Sequence, residues 1–541
     1  MAYIENLPIT LKNPDGEELN LFESGDEFSN FIHDEYENKI MQGQDAYYYY
    51  ADQKGDNIFP SVYRYDKNIK RKFFDKEIAD TDEQYKRRAD RMYDVPEIKD
   101  DSGVEGFGRN FLNFFGFSST TGSLHLGLLN NIVIYIRFAD DDNTWLRNRG
   151  FYDIIWNADT SSVKDYFKKV SYNKIDVISH GYPISPDTQN ISYQDIYPRN
   201  YFLPKSTSNP IGYESNERTQ REHDLLRRAI EAVRHEISTD IILDSVGDGR
   251  VDAVSFIVKG NATGWGSILW GHRWALYSYN VTINGLRVWD YTFQPENQAT
   301  TQILSHEMFH VFGAPDLYRY YNNTINPVGS WDLMHSGRGH MGAHMKHKYT
   351  NYKWIEDIPF ITQSGRYRIN PLTSPTNNAY RINSPNSTQE FFVVEYRKKV
   401  GTDEYESRIP ATGLLVYRIN STINTGNRNG PPDEVYIYRP SGTLTNNGLI
   451  NSANYSNLVG RTAITDTTTP RAFLMDNANG GLHITNIIDY GNYMEFDVFI
   501  EGSIPIEDKT VILGTNPEDI GSVEGGGVYP VGTEITIKAI I

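Results

Sequence analysis

The segment Ser305-His306-Glu307-Met308-Phe309-His310 constrains this chain more than any other feature, because it places two histidines four residues apart with a glutamate after the first. Residues four apart lie on one face of a helix, so His306 and His310 can bind one zinc ion through imidazole nitrogens. Glu307 would then reach a water held by the metal, whose pKa zinc lowers to roughly 7, and take its proton during attack on a peptide carbonyl. The segment predicts a helix with a zinc site and Glu307 as the catalytic residue.

The residues around this motif are typical of a helix over 298–312. Asn297 is the predicted N-cap, Gly313 can end the helix in a left-handed turn, and Pro315 prevents the helix from resuming. Apolar residues at helical spacing predict the buried face of this helix: Leu304, Met308, Val311 and Phe312.

A third zinc ligand is predicted at Asp316, in the pattern H-E-x-x-H-x-x-G-x-x-D. In zinc enzymes of the metzincin type the chain turns at this glycine and places the third ligand here, and Met334 stands at a suitable distance for the apolar Met-turn beneath the metal. The alternative is an acidic ligand on a later helix, for which Glu356 is the nearest candidate. Four further histidines are expected to be mainly surface or supporting residues, with a ligand role for one of them left open: His335, His340, His344 and His347.

The bulk composition limits the kinds of partner. The net charge is −18, which argues against a nucleic-acid partner because such a partner requires a basic face. The chain has no cysteine, so a disulfide, a Cys-ligated zinc and a cysteine-based zymogen lock are excluded. No segment is apolar over the length of a transmembrane helix, and the first residues lack the basic and apolar regions of a signal peptide. We therefore expect neither feature in this chain.

The order of predicted elements indicates an α+β protein. The prediction is a zincin- or metzincin-like catalytic domain over residues 123–360, with a mixed sheet and the active-site helix. Residues 1–122 are predicted as an N-terminal region that is β-rich at first and then a charged helix and linker. Residues 361–501 are predicted as a β-sandwich-like domain, and residues 502–541 as a fragment of a β-repeat module.

Several elements can be placed within these domains. Residues 13–16 (Asn-Pro-Asp-Gly) predict a turn between two strands of this N-terminal region. Nearly continuous apolar runs at 131–138 and 251–258 predict buried strands of the catalytic domain. Amphipathic patterns predict helices over 162–170 and 217–237.

Further segments, together with the zinc motif, resemble the immune-inhibitor-A-type family of secreted bacterial zinc metallopeptidases. Residues 163–172 are similar to the family's V-x-x-Y-F-x-x-V-S segment, and residues 248–252 to its D-G-x-V-D stretch. Residues 270–274 (Trp-Gly-His-Arg-Trp) match its W-x-H-R-W segment. Residues 391–397 and 413–415 resemble two β-domain segments, E-Y-F-L-L-E-N-R and G-L-L.

The resemblance implies a secreted, broad-specificity endopeptidase that acts on proteins and peptides, uses zinc and structural calcium, and is made with an inhibitory N-terminal region. An extracellular location is implied by the family alone. The resemblance implies that residues 1–122 are a β-rich pro-region, and we expect it to cover the active site until it is cut. Residues 100–122 are the candidate cleavage segment. The chain departs from the family at residues 417–420, Tyr-Arg-Ile-Asn, where a histidine and a closing aspartate are more common.

A calcium site is a second prediction. Asp244, Asp248 and Asp252 surround the turn at Gly249 and could supply oxygen ligands. The pattern is not that of a complete EF-hand loop, which would require an acidic or amide side chain where Val246 stands. An acidic turn before a buried strand is the equal alternative.

Trp270 and His272 are predicted on a strand shortly before the zinc helix. In enzymes of this class the strand that edges the cleft binds extended substrate by adding to the sheet. The two side chains are therefore candidate substrate-binding residues, and packing in the core is the equal alternative.

The predicted function is zinc-dependent hydrolysis of internal peptide bonds by an enzyme made as a latent zymogen. Two alternatives stay open. One is a non-catalytic adhesion or binding protein on a peptidase fold. The other is an exopeptidase of the gluzincin type, which would require a charged residue to anchor the substrate terminus.

Overall fold

The computed structural model shows a mixed α+β chain in two compact units, Met1–Ala314 and Pro315–Ile541. The predicted α+β class is confirmed. No helix among the described residues is long and apolar enough to cross a membrane. The structure describes the chain except for residues 1–2, 27–28, 44, 56, 74–77, 79–123, 208, 262–267, 323, 400, 402, 502–508, 512, 514–521, 530–534 and 541.

An antiparallel sheet of six strands in sequence order forms the N-terminal part of the first unit. The turn predicted at residues 13–16 is confirmed: the Gly16 N–H donates to the Asn13 carbonyl at 2.9 Å between β1 and β2. Alternate residues of the strands face a small apolar core that includes Leu19, Leu21 and Tyr50. The strands are β1 (Ile4–Lys12), β2 (Glu18–Gly25), β3 (Asn30–His33), β4 (Lys39–Gln42), β5 (Tyr48–Lys54) and β6 (Asn57–Arg64).

A second sheet in this unit has the order β11-β14-β10-β7-β8, with the short β9 paired to β7. β7 runs parallel to β8 and β10, and β10 runs parallel to β14, whereas the edge strand β11 is antiparallel. Central parallel strands are covered on both faces, which accounts for the apolar runs that predicted β7 and β10. The strands are β7 (Gly127–Arg137), β8 (Ile175–Tyr182), β9 (Tyr193–Gln194), β10 (Ala253–Val258), β11 (His272–Ala275) and β14 (Asp290–Pro295), with the hairpin β12 (Thr282–Ile283) and β13 (Leu286–Arg287).

Among the described residues of this unit, four α-helices accompany the sheet. Two of them, α2 and α3, confirm the helices predicted over 162–170 and 217–237, and the Ser162 hydroxyl caps α2 by accepting from the Asp165 N–H at 3.0 Å. The zinc-motif helix α4 begins three residues later than predicted. The helices are α1 (Arg149–Asn157), α2 (Val163–Val170), α3 (Arg218–Val233) and α4 (Thr301–Val311).

Asn297 does not cap α4, so this prediction is wrong. Residues Glu296–Gln298 form a short 3-10 turn, and the Thr300 hydroxyl oxygen accepts from the Ile303 N–H at 3.4 Å as the actual cap. The Asn297 side chain instead donates a hydrogen bond to Glu23 of β2, which lies far from it in the sequence.

The described part of the second unit contains one α-helix and two principal sheets that share one apolar core. The sheets have the orders β15-β21-β20 and β16-β17-β18-β19, and two small two-stranded sheets follow. The elements are α5 (Ala343–Lys348), β15 (Gly365–Ile369), β16 (Ala379–Asn383), β17 (Glu390–Arg397), β18 (Gly413–Asn420), β19 (Val435–Ile437), β20 (Ile484–Asp489), β21 (Met494–Val498), β22 (Lys509–Val511), β23 (Ser522–Glu524), β24 (Gly527–Tyr529) and β25 (Lys538–Ile540).

The predicted domain boundaries at 122, 360 and 501 stay predictions, as do the pro-region and the sandwich form of residues 361–501. The charged helix and linker and the candidate cleavage segment 100–122 lie outside the described residues, apart from 66–73 and 78.

Candidate metal centre

The two motif histidines lie one turn apart on α4, with ring centroids 4.8 Å from each other. His306 is buried and His310 is half-buried. The Nδ1 atom of His310 lies 2.6 Å from the Ala314 carbonyl oxygen. Because a carbonyl only accepts, Nδ1 carries the proton, and the lone pair of the ring is on Nε2, where a metal can bind it.

The end of α4 shapes this contact. Gly313 has a φ of 102°, a left-handed value that a side chain would strain, and its N–H donates to the His310 carbonyl at 2.9 Å. The next N–H, of Ala314, returns to the Phe309 carbonyl at 3.1 Å. The predicted helix end at Gly313 is therefore confirmed, and the turn brings the Ala314 carbonyl back to His310.

Asp316 follows directly after this turn. One ligand atom from each of His306, His310 and Asp316 can be chosen so that all three lie within 4.8 Å of one another. Among the described residues this is the single group of histidines and acids with such a geometry. Two imidazole nitrogens and one carboxylate oxygen are a donor set that zinc accepts, with room for a further ligand in tetrahedral coordination. The residues present thus fit the metal that the sequence predicted.

The carboxylate of Asp316 is buried and accepts a hydrogen bond from a tyrosine. It is 1% exposed, and the Tyr320 hydroxyl donates to its Oδ2 at 2.5 Å. A hydrogen bond of this kind orients a metal-binding carboxylate. The competing candidate, Glu356, is exposed and does not belong to the group.

The predicted Met-turn residue, Met334, is fully buried. Its backbone is hydrogen-bonded to Leu317, the residue that follows Asp316. Its carbonyl accepts from the Leu317 N–H at 2.7 Å, and its own N–H donates to Asp332 Oδ1 at 2.8 Å. The second oxygen of Asp332 accepts from the Gly342 N–H at 2.6 Å. Burial raises the pKa of Asp332 to about 6, although these N–H groups and Arg397 favour the ionised form.

Glu307 follows His306 on α4, and its side chain is fully buried. A carboxylate at this place in the helix is next to the metal group without belonging to it. This is the arrangement that a general base requires, because it can exchange a proton with a water at the metal without occupying a coordination position.

All four downstream histidines are engaged in other contacts. The Nε2 atoms of His340 and His344 lie 3.1 Å from Asp403 and 2.9 Å from Glu434, and burial lowers the pKa of both rings. The Nδ1 atom of His347 lies 2.9 Å from a backbone carbonyl. The expected supporting role describes these three, and His335 contacts Ser336 at 3.2 Å.

Trp270 and His272 are both buried in this structure. The His272 ring lies between the Trp270 carbonyl and Glu222 Oε1, at 2.7 Å from each, and Trp270 packs with Ile4 and Ile303. Core packing describes these contacts, and neither side chain is open to a substrate here.

The predicted calcium loop has no support. Asp244 uses both carboxylate oxygens to accept the N–H groups of Gly247, Asp248 and Gly249, at 2.7 to 3.1 Å. The buried Asp252 accepts from the Ser245 N–H at 2.7 Å. The carboxylates thus close the turn itself and do not form a metal-holding group. The alternative of an acidic turn before a buried strand describes the loop.

The polar residues that contact Asp316 in the second unit were not predicted from the sequence. They lie in the segment 426–434, more than a hundred residues further along the chain. Its glycines and prolines predict a loop, but no local pattern indicates what that loop contacts.

A helix with two metal-facing histidines, a glutamate between them and an aspartate after a glycine turn defines the metallopeptidase class. Residues 248–354 match the family model described as immune inhibitor A peptidase M6, catalytic domain. The match confirms the resemblance to this family over that segment, which contains all four residues. A comparison with curated protein sequences finds no match.

Two solved structures are similar to parts of the chain. One is wild-type OgpA from Akkermansia muciniphila, with 9% identity, a TM-score of 0.25, and coverage of 54% of this chain and 84% of that one. The other is metalloproteinase-II from Bacteroides fragilis, with 13% identity, a TM-score of 0.22, and coverage of 64% and 85%. TM-scores this low do not establish a common fold.

Proposed function

We propose that this chain is a zinc-dependent endopeptidase that hydrolyses internal peptide bonds of proteins. The observation that carries the proposal is the group of His306, His310 and Asp316, with Glu307 beside it on α4, inside the segment that matches a metallopeptidase family. The zinc identity rests on the donor set, two imidazole nitrogens and one carboxylate.

The proposed chemistry assigns one role to each residue. A zinc ion held by these three side chains would supply a Lewis acid that polarises the peptide carbonyl and activates water. Glu307 takes a proton from the attacking water and later delivers it to the leaving amine. His310 keeps Nε2 available because Ala314 holds the proton on Nδ1, and Tyr320 keeps the Asp316 carboxylate oriented.

We further propose that the enzyme is made as a latent form and acts outside the cell, as members of the matching family do. Support for latency comes from contacts between the N-terminal sheet and the surroundings of α4. Ile4 packs with Trp270 and Ile303 of α4, and Glu23 accepts from Asn297 just before the helix. The N-terminal region would inhibit until it is cut within residues 100–122.

The test is cleavage of an internally quenched peptide blocked at both ends, before and after mild proteolytic trimming, with and without a zinc chelator. We expect cleavage after trimming that the chelator abolishes and zinc restores. Zinc binding without cleavage of this peptide or of casein would favour a binding protein. Cleavage confined to peptides with a free end would identify an exopeptidase instead. Equal activity before and after trimming would refute latency alone.

A further inference from the structure

Asn427 joins the backbone of the third-ligand segment to β19. Its side chain is fully buried, and its Nδ2 donates to the carbonyls of Leu317 and Val435, at 2.9 and 2.8 Å. Its Oδ1 accepts from the Val435 N–H at 3.0 Å, and its own N–H donates to the carbonyl of Asp316 at 2.9 Å. One asparagine thus satisfies two consecutive carbonyls, of which the first belongs to Asp316.

We call residues 426–434 the clamp loop. Two further contacts tie it to the segment that follows Asp316. Arg319 forms a buried bidentate ion pair with Asp433, at 2.7 and 2.6 Å, and the Tyr320 N–H donates to the Arg428 carbonyl at 3.0 Å. Because Tyr320 also donates to the Asp316 carboxylate, the loop fixes both the backbone of Asp316 and the residue that orients its side chain.

The first residue of the clamp loop, Gly426, packs closely against the backbone of Asp316. Gly426 has a φ of 61°, and a Cβ atom there would lie 2.1 Å from the Asp316 carbonyl oxygen. Its N–H donates to Glu434 Oε2 at 2.9 Å. Only glycine permits this approach, so the backbone of the loop is in direct contact with the backbone of Asp316.

Glu434 fastens the clamp loop to α5. It is fully buried and accepts from Lys348 at 2.7 Å and from Tyr349 at 2.5 Å, and His344 contacts the same carboxylate. Burial by itself would raise the pKa of Glu434, but the contacts with His344 and Lys348 lower it, so the carboxylate stays ionised. The loop is therefore also anchored to α5 and the residue that follows it.

We propose that the clamp loop positions the third metal ligand, with Asn427 as its positioning residue, so that the β-rich region is part of the metal centre and not an independent module. This deepens the proposed function, on which the identity of the metal rests. Residues that orient a metal ligand typically change metal affinity by about 10- to 100-fold when they are replaced. The same range is expected for Asn427, although it never touches the metal.

The test compares Asn427→Ala with Asn429→Ala in the full chain. Asn429 is a matched control, because it is the same residue type in the same loop and is exposed. The readouts are the zinc dissociation constant, from competition with a chromophoric chelator, and the visible spectrum of bound cobalt. We expect Asn427→Ala to weaken zinc binding about 10- to 100-fold and to change the cobalt spectrum, and Asn429→Ala to leave both as in the wild type. Equal affinities and spectra for both variants would overturn the proposal.

Two further measurements apply if Asn427→Ala does not fold. Gly426→Ala pushes on the Asp316 carbonyl directly and should weaken zinc in the same way. In the unchanged protein, zinc should slow amide hydrogen exchange over 426–434 as well as over 306–316, since coupling between a ligand and its support is reciprocal. Unchanged exchange over 426–434 would contradict the proposal.

Failure of this inference and failure of the proposed function are distinguishable. Zinc binding by the wild type without peptide cleavage would refute the endopeptidase and leave the affinity comparison intact. Chelator-sensitive cleavage with no loss of affinity in the variants would refute the role of the clamp loop alone. A wild type that binds no zinc would refute both.

Discussion

Glu23 and Asn297 are joined by a hydrogen bond of 2.9 Å from Asn297 Nδ2 to Glu23 Oε2. Glu23 lies on β2 and is 1% exposed, and Asn297 lies in the turn before α4. Burial raises the pKa of Glu23 to about 7, against an opposing effect of Asn297 and Gln298. The contact between the N-terminal sheet and the turn before the zinc-motif helix therefore contains a carboxyl group that titrates near neutral pH.

Because of this raised pKa, we expect the contribution of Glu23 to the free energy of unfolding to fall as pH rises. The pKa of Glu23 is higher in the folded chain than in the unfolded chain, where it is about 4.5, so the folded state binds more protons between these values. The stabilisation is complete below about pH 4.5 and is lost as pH rises through about 7, with a magnitude of up to roughly 3 kcal/mol. Urea unfolding of the wild type at about pH 5.5 and about pH 8.5 measures the difference.

Glu23→Gln should reduce this difference between the two pH values, because the amide does not titrate. Glu18→Gln is the matched control, since Glu18 lies on the same strand with a side chain that is 58% exposed. A pH dependence that is the same in wild type and Glu23→Gln would contradict the assignment to Glu23.

Glu307→Gln should abolish most turnover while zinc remains bound, because the amide cannot accept the proton of the attacking water. Loss of a general base typically reduces kcat by about 10²- to 10⁴-fold. Steady-state kinetics with a metal analysis checks both parts. Glu356→Gln serves as the control and should keep activity and zinc. Loss of zinc in that variant would instead favour Glu356 as the third ligand.

Tyr320→Phe should weaken zinc binding about 10- to 100-fold, because the Asp316 carboxylate loses the hydroxyl that orients it. The ring is retained, so the packing changes little. Competition with a chelator measures the affinity, and Tyr352→Phe, at a tyrosine that is 53% exposed, is the control. Equal zinc affinity in the two variants would mean that the hydroxyl has no role at the metal.

Arg319→Met should destabilise the second unit by about 3 to 5 kcal/mol, because it leaves the buried Asp433 carboxylate without its cation. Denaturant unfolding measures the loss. The control is Asp497→Asn in the exposed pair with Arg366, which should cost no more than about 1 kcal/mol. Similar losses in the two variants would show that burial of the Arg319 pair has no energetic consequence.

The parts of the site that the sequence predicted are those specified within a few turns of chain. His306 and His310 share a helix face by spacing alone, and Gly313 ends the helix because a left-handed turn requires it. Asp316 follows from the same local pattern and joins the metal group. The apolar runs of β7 and β10 likewise indicated buried parallel strands.

The parts that could not be predicted depend on contacts between distant residues. Asn297 is a suitable cap by residue type, but Glu23 engages its side chain and Thr300 caps the helix. Asp244 is of a residue type that binds calcium, yet its carboxylate oxygens accept hydrogen bonds from three N–H groups of its own turn. Asn427 stands in an ordinary loop sequence, and only the folded second unit brings it to Asp316.

The clamp loop has a practical consequence for dissecting the protein. A fragment cut after residue 354, where the family match ends, would keep the three proposed metal ligands, Glu307 and Met334. It would lack Asn427, and with it the N–H groups that donate hydrogen bonds to the carbonyls of Asp316 and Leu317. Expression fragments and chimaeras should therefore be divided after β19 at the earliest, and a foreign β domain grafted onto the metal-binding segment would have to supply a glycine and an asparagine at the same two places.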